Sequence, residues 1–195
     1  MTRWAPRLTD VMDELAAEIL HNYGKGRALV AVDGLAGTTE FADGLAEAVK
    51  RTGHAVFRAS MRDFRHRRKL RYPAGSMPDH EPYDVDTLHR VLIEPFRDGA
   101  TGSFVLAAFD SERDMPIEPK WMTAKPDAVL IIDGEELQLP ELRGLWHYSV
   151  WLETPTEPST EQARYLTQAK PSSLATAIYD GADPEHPRRV FADSC

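Results

Sequence analysis

The sequence predicts an α/β protein built on a parallel β-sheet flanked by helices on both faces. Three observations predict it. Apolar runs of strand length alternate with segments whose apolar residues recur at helical spacing. The first run, "RALVAVD" (Arg27 to Asp33), is continuous, as in a strand buried on both faces. Four strand candidates end in Asp33, Ser60, Asp110 and Asp133, polar residues at the edge where parallel sheets bind ligands.

The elements follow in order. "RLTDVMDELAAEILHNY" is a helix, with Leu8, Val11, Met12, Leu15, Ile19 and Leu20 spaced for one face. After the first strand, "TEFADGLAEAVKRTG" is a second helix, with Phe41, Leu45, Ala48 and Val49 inward and Gly53 as its C-cap. "HAVFRAS" is a strand. Met61 to Pro82 is polar and too long for a simple connection, and such loops are usually functional. "YDVDTLHRVLIEPFRDG" is a helix capped by Asp84 or Asp86 and kinked or ended by Pro95. "SFVLAAFD", "DAVLIID" and "HYSVWLE" are three more strands, "STEQARYLTQA" a helix, and "ATAIYD" the last strand. Strands joined through helices imply right-handed crossovers. A single domain over 1–195 is expected.

Composition excludes some functions. With 31 acidic against 23 basic residues the formal charge is -8, which argues against a nucleic-acid partner. Basic residues concentrate once, in "FRHRRKLR" (Phe64 to Arg71), which reads either as a solvated face or as a clamp for a polyanion such as a nucleotide. The one cysteine, Cys195, allows no internal disulfide and fits a reducing compartment. With no apolar run of membrane length and no hydrophobic leader, no membrane association is expected, and a soluble, cytoplasmic protein is.

"DGLAGTTEFADGL" (Asp33 to Leu45) carries the clearest chemistry. A loop that cradles phosphate needs glycines that let backbone N–H groups point inward, and a helix N-terminus behind them. It also needs a lysine for the β- and γ-phosphates and a hydroxyl for magnesium. Gly34 and Gly37 supply glycines, the helix from about Thr39 supplies the N-terminus, and Thr38 or Thr39 supplies the hydroxyl. The lysine is missing. Inserting Gly-Lys between Thr38 and Thr39 would complete G-x-x-x-x-G-K-[ST].

Together with "ALVAVDGLAG", "ASMRDF", "YDVDTLHRVLIEPFRDG", "AAFDSERDMP", "PDAVLIIDGEELQLPELRGLWHYSVWLETP" and "DPEHPRRV", this loop resembles the uridine-kinase-like family of P-loop kinases, from about Trp4 to Val190. The resemblance implies a P-loop NTPase-type fold with a five-stranded parallel sheet and a lid. The implied activity is ATP-dependent, Mg²⁺-assisted transfer of the γ-phosphoryl group to a hydroxyl of a small-molecule acceptor, a nucleoside such as uridine or a similar compound.

By the same resemblance, Gly34, Gly37, Thr38 and Thr39 fall on the phosphate loop, with Thr39 also at the magnesium hydroxyl; otherwise Thr39 is a helix N-cap. Asp63 falls where the family carries the acid that takes the acceptor's proton, with Arg62 in place of a second acid. Otherwise it is a turn aspartate. Tyr83 and Asp84 match the sugar-binding segment, and Asp84 also reads as an N-cap. Asp133 matches the strand-end aspartate that holds magnesium through water, with Glu135 close by.

Three departures stand out. The phosphate loop lacks Gly-Lys, "PAGSMPDHEPYD" is shorter than the family's substrate loop, and the lid around 154–162 is short or missing, leaving Arg164 without a partner arginine. Losing one preorganised donor costs about 10²–10³ in rate, so losing the lysine and the lid together should leave almost no kinase activity. A second expectation therefore stands beside the kinase: a non-catalytic nucleotide-binding protein of the same fold. The acceptor and the oligomeric state, monomer or homo-oligomer, stay open at this point.

Overall fold

The computed structural model describes residues 6–67, 83–98 and 102–191. In chain order the elements are α1 (Leu8–Tyr23), β1 (Ala28–Gly34), α2 (Thr38–Arg51), β2 (Val56–Ser60) and a 3₁₀ turn (Met61–Phe64). Helix α3 covers 85–97, with α-helical turns Val85–Leu88 and Glu94–Arg97 around a π-helical turn His89–Ile93. Then come β3 (Phe109–Asp110), β4 (Met115–Pro116), β5 (Val129–Gly134) and β6 (Tyr148–Glu153). Last are α4 (Thr160–Ala169), α5 (Pro171–Leu174), β7 (Ala177–Asp180) and β8 (Arg188–Val190). The chain divides into two compact units, Met1–Arg58 with Asp127–Cys195, and Ala59–Pro126.

The main sheet has the order β2-β5-β1-β6-β7-β8. Strand β1 is parallel to both β5 and β6, β6 is parallel to β7, and β8 closes the edge antiparallel to β7. The sheet is therefore mostly parallel, with helices on both faces. "ATAIYD" is not the last strand. The segment "DPEHPRRV" turns back and adds β8, too short a run for apolar alternation to mark it.

Side chains of a strand alternate between faces. Ala28, Val30 and Val32 of β1, Val129 and Ile131 of β5, and Val150 and Leu152 of β6 pack with α1 and α2 in one apolar core. Trp151 of β6 faces the other way and packs with Tyr165 and Ala169 of α4. Helix α1 buries Val11, Met12, Leu15 and Ile19 as its spacing predicts. Helix α2 ends at Arg51, where Thr52 rather than Gly53 is the C-cap.

One ionic network ties α1 to the far edge of the sheet. Glu18 of α1 accepts from the Tyr148 hydroxyl of β6 at 2.8 Å and from both terminal nitrogens of Arg189 on β8. The Arg189 bonds hold the Glu18 carboxyl below its usual range, and burial with the Glu18 bond pushes the Tyr148 hydroxyl up.

In the second unit, Asp84 caps α3: Oδ1 accepts from the Thr87 amide at 2.9 Å and Oδ2 from the Thr87 hydroxyl at 2.9 Å. Pro95 does not end the helix. Proline cannot donate to the carbonyl four residues back, and that carbonyl, on Val91, instead accepts from the Val105 amide at 2.9 Å. The same bond explains why "SFVLAAFD" is a strand only at Phe109–Asp110. The Val105 amide goes to α3 and the Ala108 amide to the Asp63 carbonyl at 3.0 Å, so neither is free for a ladder. The apolar run instead buries Phe104 edge-on against Phe96, 5.3 Å between ring centres.

Glu18→Ala should lower stability by about 1 kcal/mol, since the network is part exposed. Because the folded carboxyl titrates low, its contribution is present at neutral pH and fades as pH falls through that folded value. Urea unfolding should therefore separate variant from wild type at pH 7 and bring them together in acid.

Candidate functional site

The site grows from the carboxyl ends of β1 and β5. Across that pair Val32 lies opposite Asp133, and Asp33 opposite Gly134. Asp133 thus shares the face of Val32, toward α2, while Asp33 takes the opposite face. Asp33 and Asp133 share the carboxyl edge of the sheet, as the sequence predicts, but lie on its opposite faces. The expectation of one shared edge is corrected for Asp110, which ends no strand of that sheet. Asp110 lies in the small β3–β4 hairpin, where its Oδ1 caps the turn by accepting from the amides of Glu112 at 3.0 Å and Arg113 at 2.9 Å.

Between β1 and α2 the chain turns through Gly34 to Thr39. Gly34 is required by packing: a β-carbon there would lie 2.8 Å from the Leu152 carbonyl oxygen of β6. Gly37 is required by conformation, with φ +73°, and it is the N-cap of α2. No side chain caps that helix. Its first-turn N–H groups therefore lack intrahelical partners and face outward, where an anion is favoured. Thr38 is buried and Thr39 half-buried.

Thr39 is not the N-cap. Its hydroxyl donates to Asp133 Oδ2 at 2.8 Å. With the proton committed, the hydroxyl's lone pairs are left for an electron acceptor. Asp133 is 2% exposed, and its Oδ1 accepts from Arg58 Nη2 at 2.8 Å. Arg58 of β2 also donates from Nη1 to the Ile131 carbonyl at 3.0 Å and from Nε to Asp43 Oδ1 at 3.0 Å.

A hydroxyl and a carboxylate joined in this way are the oxygen donors a hard divalent ion such as Mg²⁺ takes, so Thr39 and Asp133 fit that ion. Among the described residues no group of three or more His, Cys, Asp or Glu side chains could hold a metal. An ion here would draw its remaining ligands from water and from phosphate oxygens.

On the opposite face, Asp33 is wholly buried. Its Oδ2 accepts from the Tyr165 hydroxyl of α4, which in turn accepts from the Gln138 amide at 3.1 Å. Among the described residues its Oδ1 makes no hydrogen bond of ordinary geometry, although the amides of Leu137 and Gly34 lie near enough to favour the charge of the carboxylate. Burial pushes the Asp33 carboxyl up to about 7, with the Tyr165 bond opposing part of the shift. Burial, and then the Asp33 charge, push the Tyr165 hydroxyl up as well.

The other sequence-predicted residues lie in the second unit. Asp63 sits in the 3₁₀ turn, half-buried. Tyr83 is buried, bridged to Arg65 through the backbone, with the Arg65 guanidinium 5.3 Å from its ring centre and donating to its hydroxyl at 3.3 Å. Asp84 fills the N-cap role and also lines a cavity of about 320 Å³ with Phe64, Arg65, Thr87 and Phe109. Of the basic stretch, Arg65, His66 and Arg67 line the same cavity, while residues 68–71 lie outside the described residues. So do residues 73–82 of the substrate-loop segment, and Cys195. Residues 154–159 join β6 to α4, whose N-terminus carries a reciprocal Ser159–Gln162 capping box; Arg164 is exposed.

Sequence reasoning missed Arg58 and the Tyr165–Asp33 pair. The signal for Arg58 was there: one cation inside the apolar run "HAVFRAS". Nothing local marked Tyr165, which is 132 positions from Asp33.

A central β1 between β5 and β6, followed by a glycine turn into a helix, is the arrangement of the P-loop kinases, and the chain has their fold. Its structure matches that of a provisionally assigned uridine kinase from Bacillus stearothermophilus with a TM-score of 0.74 and 25% identity, over 89% of this chain and 99% of that one. A provisionally assigned fructose transport system kinase from a Silicibacter species matches with a TM-score of 0.58 and 26% identity over 80% of each chain. D-glycerate 3-kinase from Cryptococcus neoformans matches in fold alone, at 11% identity and a TM-score of 0.53, over 85% of this chain and 88% of that one. No family model matches the sequence, and no curated protein matches it. Among the described residues no helix is long and apolar enough to cross a membrane.

Asp33 generates a pH prediction. Its folded carboxyl titrates near 7, above the ordinary 3.8. Its contribution is thus complete below about pH 4 and is lost as pH rises toward 7, at up to about 1.4 kcal/mol per pH unit. Asp33→Asn should flatten stability across that window in urea unfolding. A slope equal to wild type would show that Asp33 is already ionised in the folded protein.

Proposed function

We propose that the protein is an ATP-dependent phosphotransferase that passes the γ-phosphoryl group to a hydroxyl of a small molecule, a nucleoside such as uridine being the leading acceptor. The observation that carries this reading is the Thr39–Asp133 hydrogen bond beside the uncapped N-terminus of α2, within a P-loop kinase fold. The turn from Gly34 to Thr39 would hold phosphate oxygens on its amides. Thr39 and Asp133 would hold Mg²⁺, which when bound neutralises charge developing on the phosphates. Asp63 would take the acceptor's proton, and Tyr83 and Asp84 would orient the acceptor. Asp84 keeps lone pairs beyond its two bonds to Thr87. The kinase neighbours and the family resemblance support these roles. We also propose that the protein works in the cytoplasm.

The absent lysine favours a second reading, nucleotide binding without transfer. With the loop lysine gone and the lid short, turnover should be slowed by at least about 10²–10³, the cost of a single such donor. Protein of verified 21.9 kDa intact mass is the material for the test. Acceptor-dependent ADP formation, slow but above background, is expected. Asp63→Asn should abolish it while leaving ADP-induced thermal stabilisation in place, and Thr39→Ala should weaken both. Stabilisation by ATP and ADP, worth about 2.7 kcal/mol at a hundredfold excess over Kd, with no acceptor-dependent ADP would establish the second reading instead.

A further inference from the structure

Arg58 holds an unusual place. Its guanidinium is 22% exposed and is gripped by three acceptors: the Asp133 carboxylate, the Ile131 carbonyl and the Asp43 carboxylate. Asp133 is 2% exposed, so this ion pair lies largely out of solvent, whereas Asp43 is 63% exposed and its charge is screened. The carboxylate at the metal position is therefore already matched by a fixed positive charge. The planar fork of the guanidinium is anchored rather than free to swing.

The consequence concerns anions. An unmatched carboxylate buried beside the phosphate turn would repel a polyphosphate, and in other P-loop sites the lysine and the metal offset such repulsion. Here the lysine is absent and Arg58 is present. We propose that Arg58 is a built-in counter-ion to Asp133, which lets the turn after β1 bind a nucleoside diphosphate or triphosphate without a divalent cation. This rests on the nucleotide-site reading above. Mg²⁺ can still bind, but it shares Asp133 with Arg58 and adds little to nucleotide affinity.

The test measures ADP affinity by thermal shift and calorimetry, in EDTA and in Mg²⁺. Wild type should bind ADP in EDTA with an affinity close to that in Mg²⁺. Arg58→Gln exposes the Asp133 charge and should weaken binding in EDTA about tenfold, with Mg²⁺ restoring it. Arg58→Lys keeps the charge and should bind in EDTA like wild type. Arg58→Gln with Asp133→Asn removes both charges and should recover binding in EDTA, a rescue that a merely structural role for Arg58 does not predict. If Arg58→Gln alone does not fold, Arg58→Lys and the double variant carry the same test. ADP binding by wild type only in Mg²⁺, or an Arg58→Gln or double variant with no such charge pattern, overturns the proposal. If ADP shifts wild type in neither buffer, the nucleotide-site reading fails with it.

Discussion

A β-strand sends successive side chains to opposite faces, and at the ends of β1 and β5 that period separates two buried carboxylates. Asp133 shares a face with Val32 and meets Thr39 of α2; Asp33, one position on, meets Tyr165 of α4. A one-residue slip between these strands would exchange the faces and unmake both contacts. The register is fixed by the apolar residues behind it. Val30, Val32, Val129 and Ile131 face α1 and α2 and are fully buried, so the core and the site depend on the same alternation.

The two carboxylates are treated differently by their surroundings. Asp133 is held by a guanidinium and a hydroxyl. Among the described residues Asp33 has a tyrosine hydroxyl as its side-chain partner, and burial dominates its titration. The first is therefore suited to standing beside a cation. The second is a structural pin, coupling the end of β1 to α4 and, through Gln138, to the loop after β5. Holding these segments together fixes where the glycine turn begins.

Much of this was legible in the sequence, and the rest was hidden for identifiable reasons. The main-sheet strands β1, β5 and β6 follow from apolar runs and helices α1, α2 and α4 from helical patterning, while Thr39 and Asp133 are each placed by the family resemblance and their contact is seen only in the structure. What failed depends on where backbone donors go. "SFVLAAFD" has the composition of a strand, but the amides of Val105 and Ala108 are taken by Val91 and Asp63. Pro95 reads as a kink or a stop; the helix runs on to Arg97, and the Val91 carbonyl that Pro95 cannot serve is answered from 10 positions downstream, at Val105. Strand β8 is three residues long and offers no period to read. Arg58 and Tyr165 act on partners 75 and 132 positions away, and no local pattern encodes such pairings.

Binding and transfer make separate demands on this site. A cation that speeds phosphoryl transfer must interact more strongly with the transition state than with the bound nucleotide. A loop lysine does so because its ammonium, a point charge on a flexible stem, can follow charge toward the β- and γ-phosphates. Arg58 is held by three acceptors and acts through Asp133, so its effect is nearly the same before and during transfer. Such a uniform contribution tightens binding and leaves the barrier from the bound state unchanged. On the proposed reading, the uncapped helix, the hydroxyl and the matched carboxylate would seat a nucleotide, while the loop lysine that would follow charge toward the γ-phosphoryl group is absent.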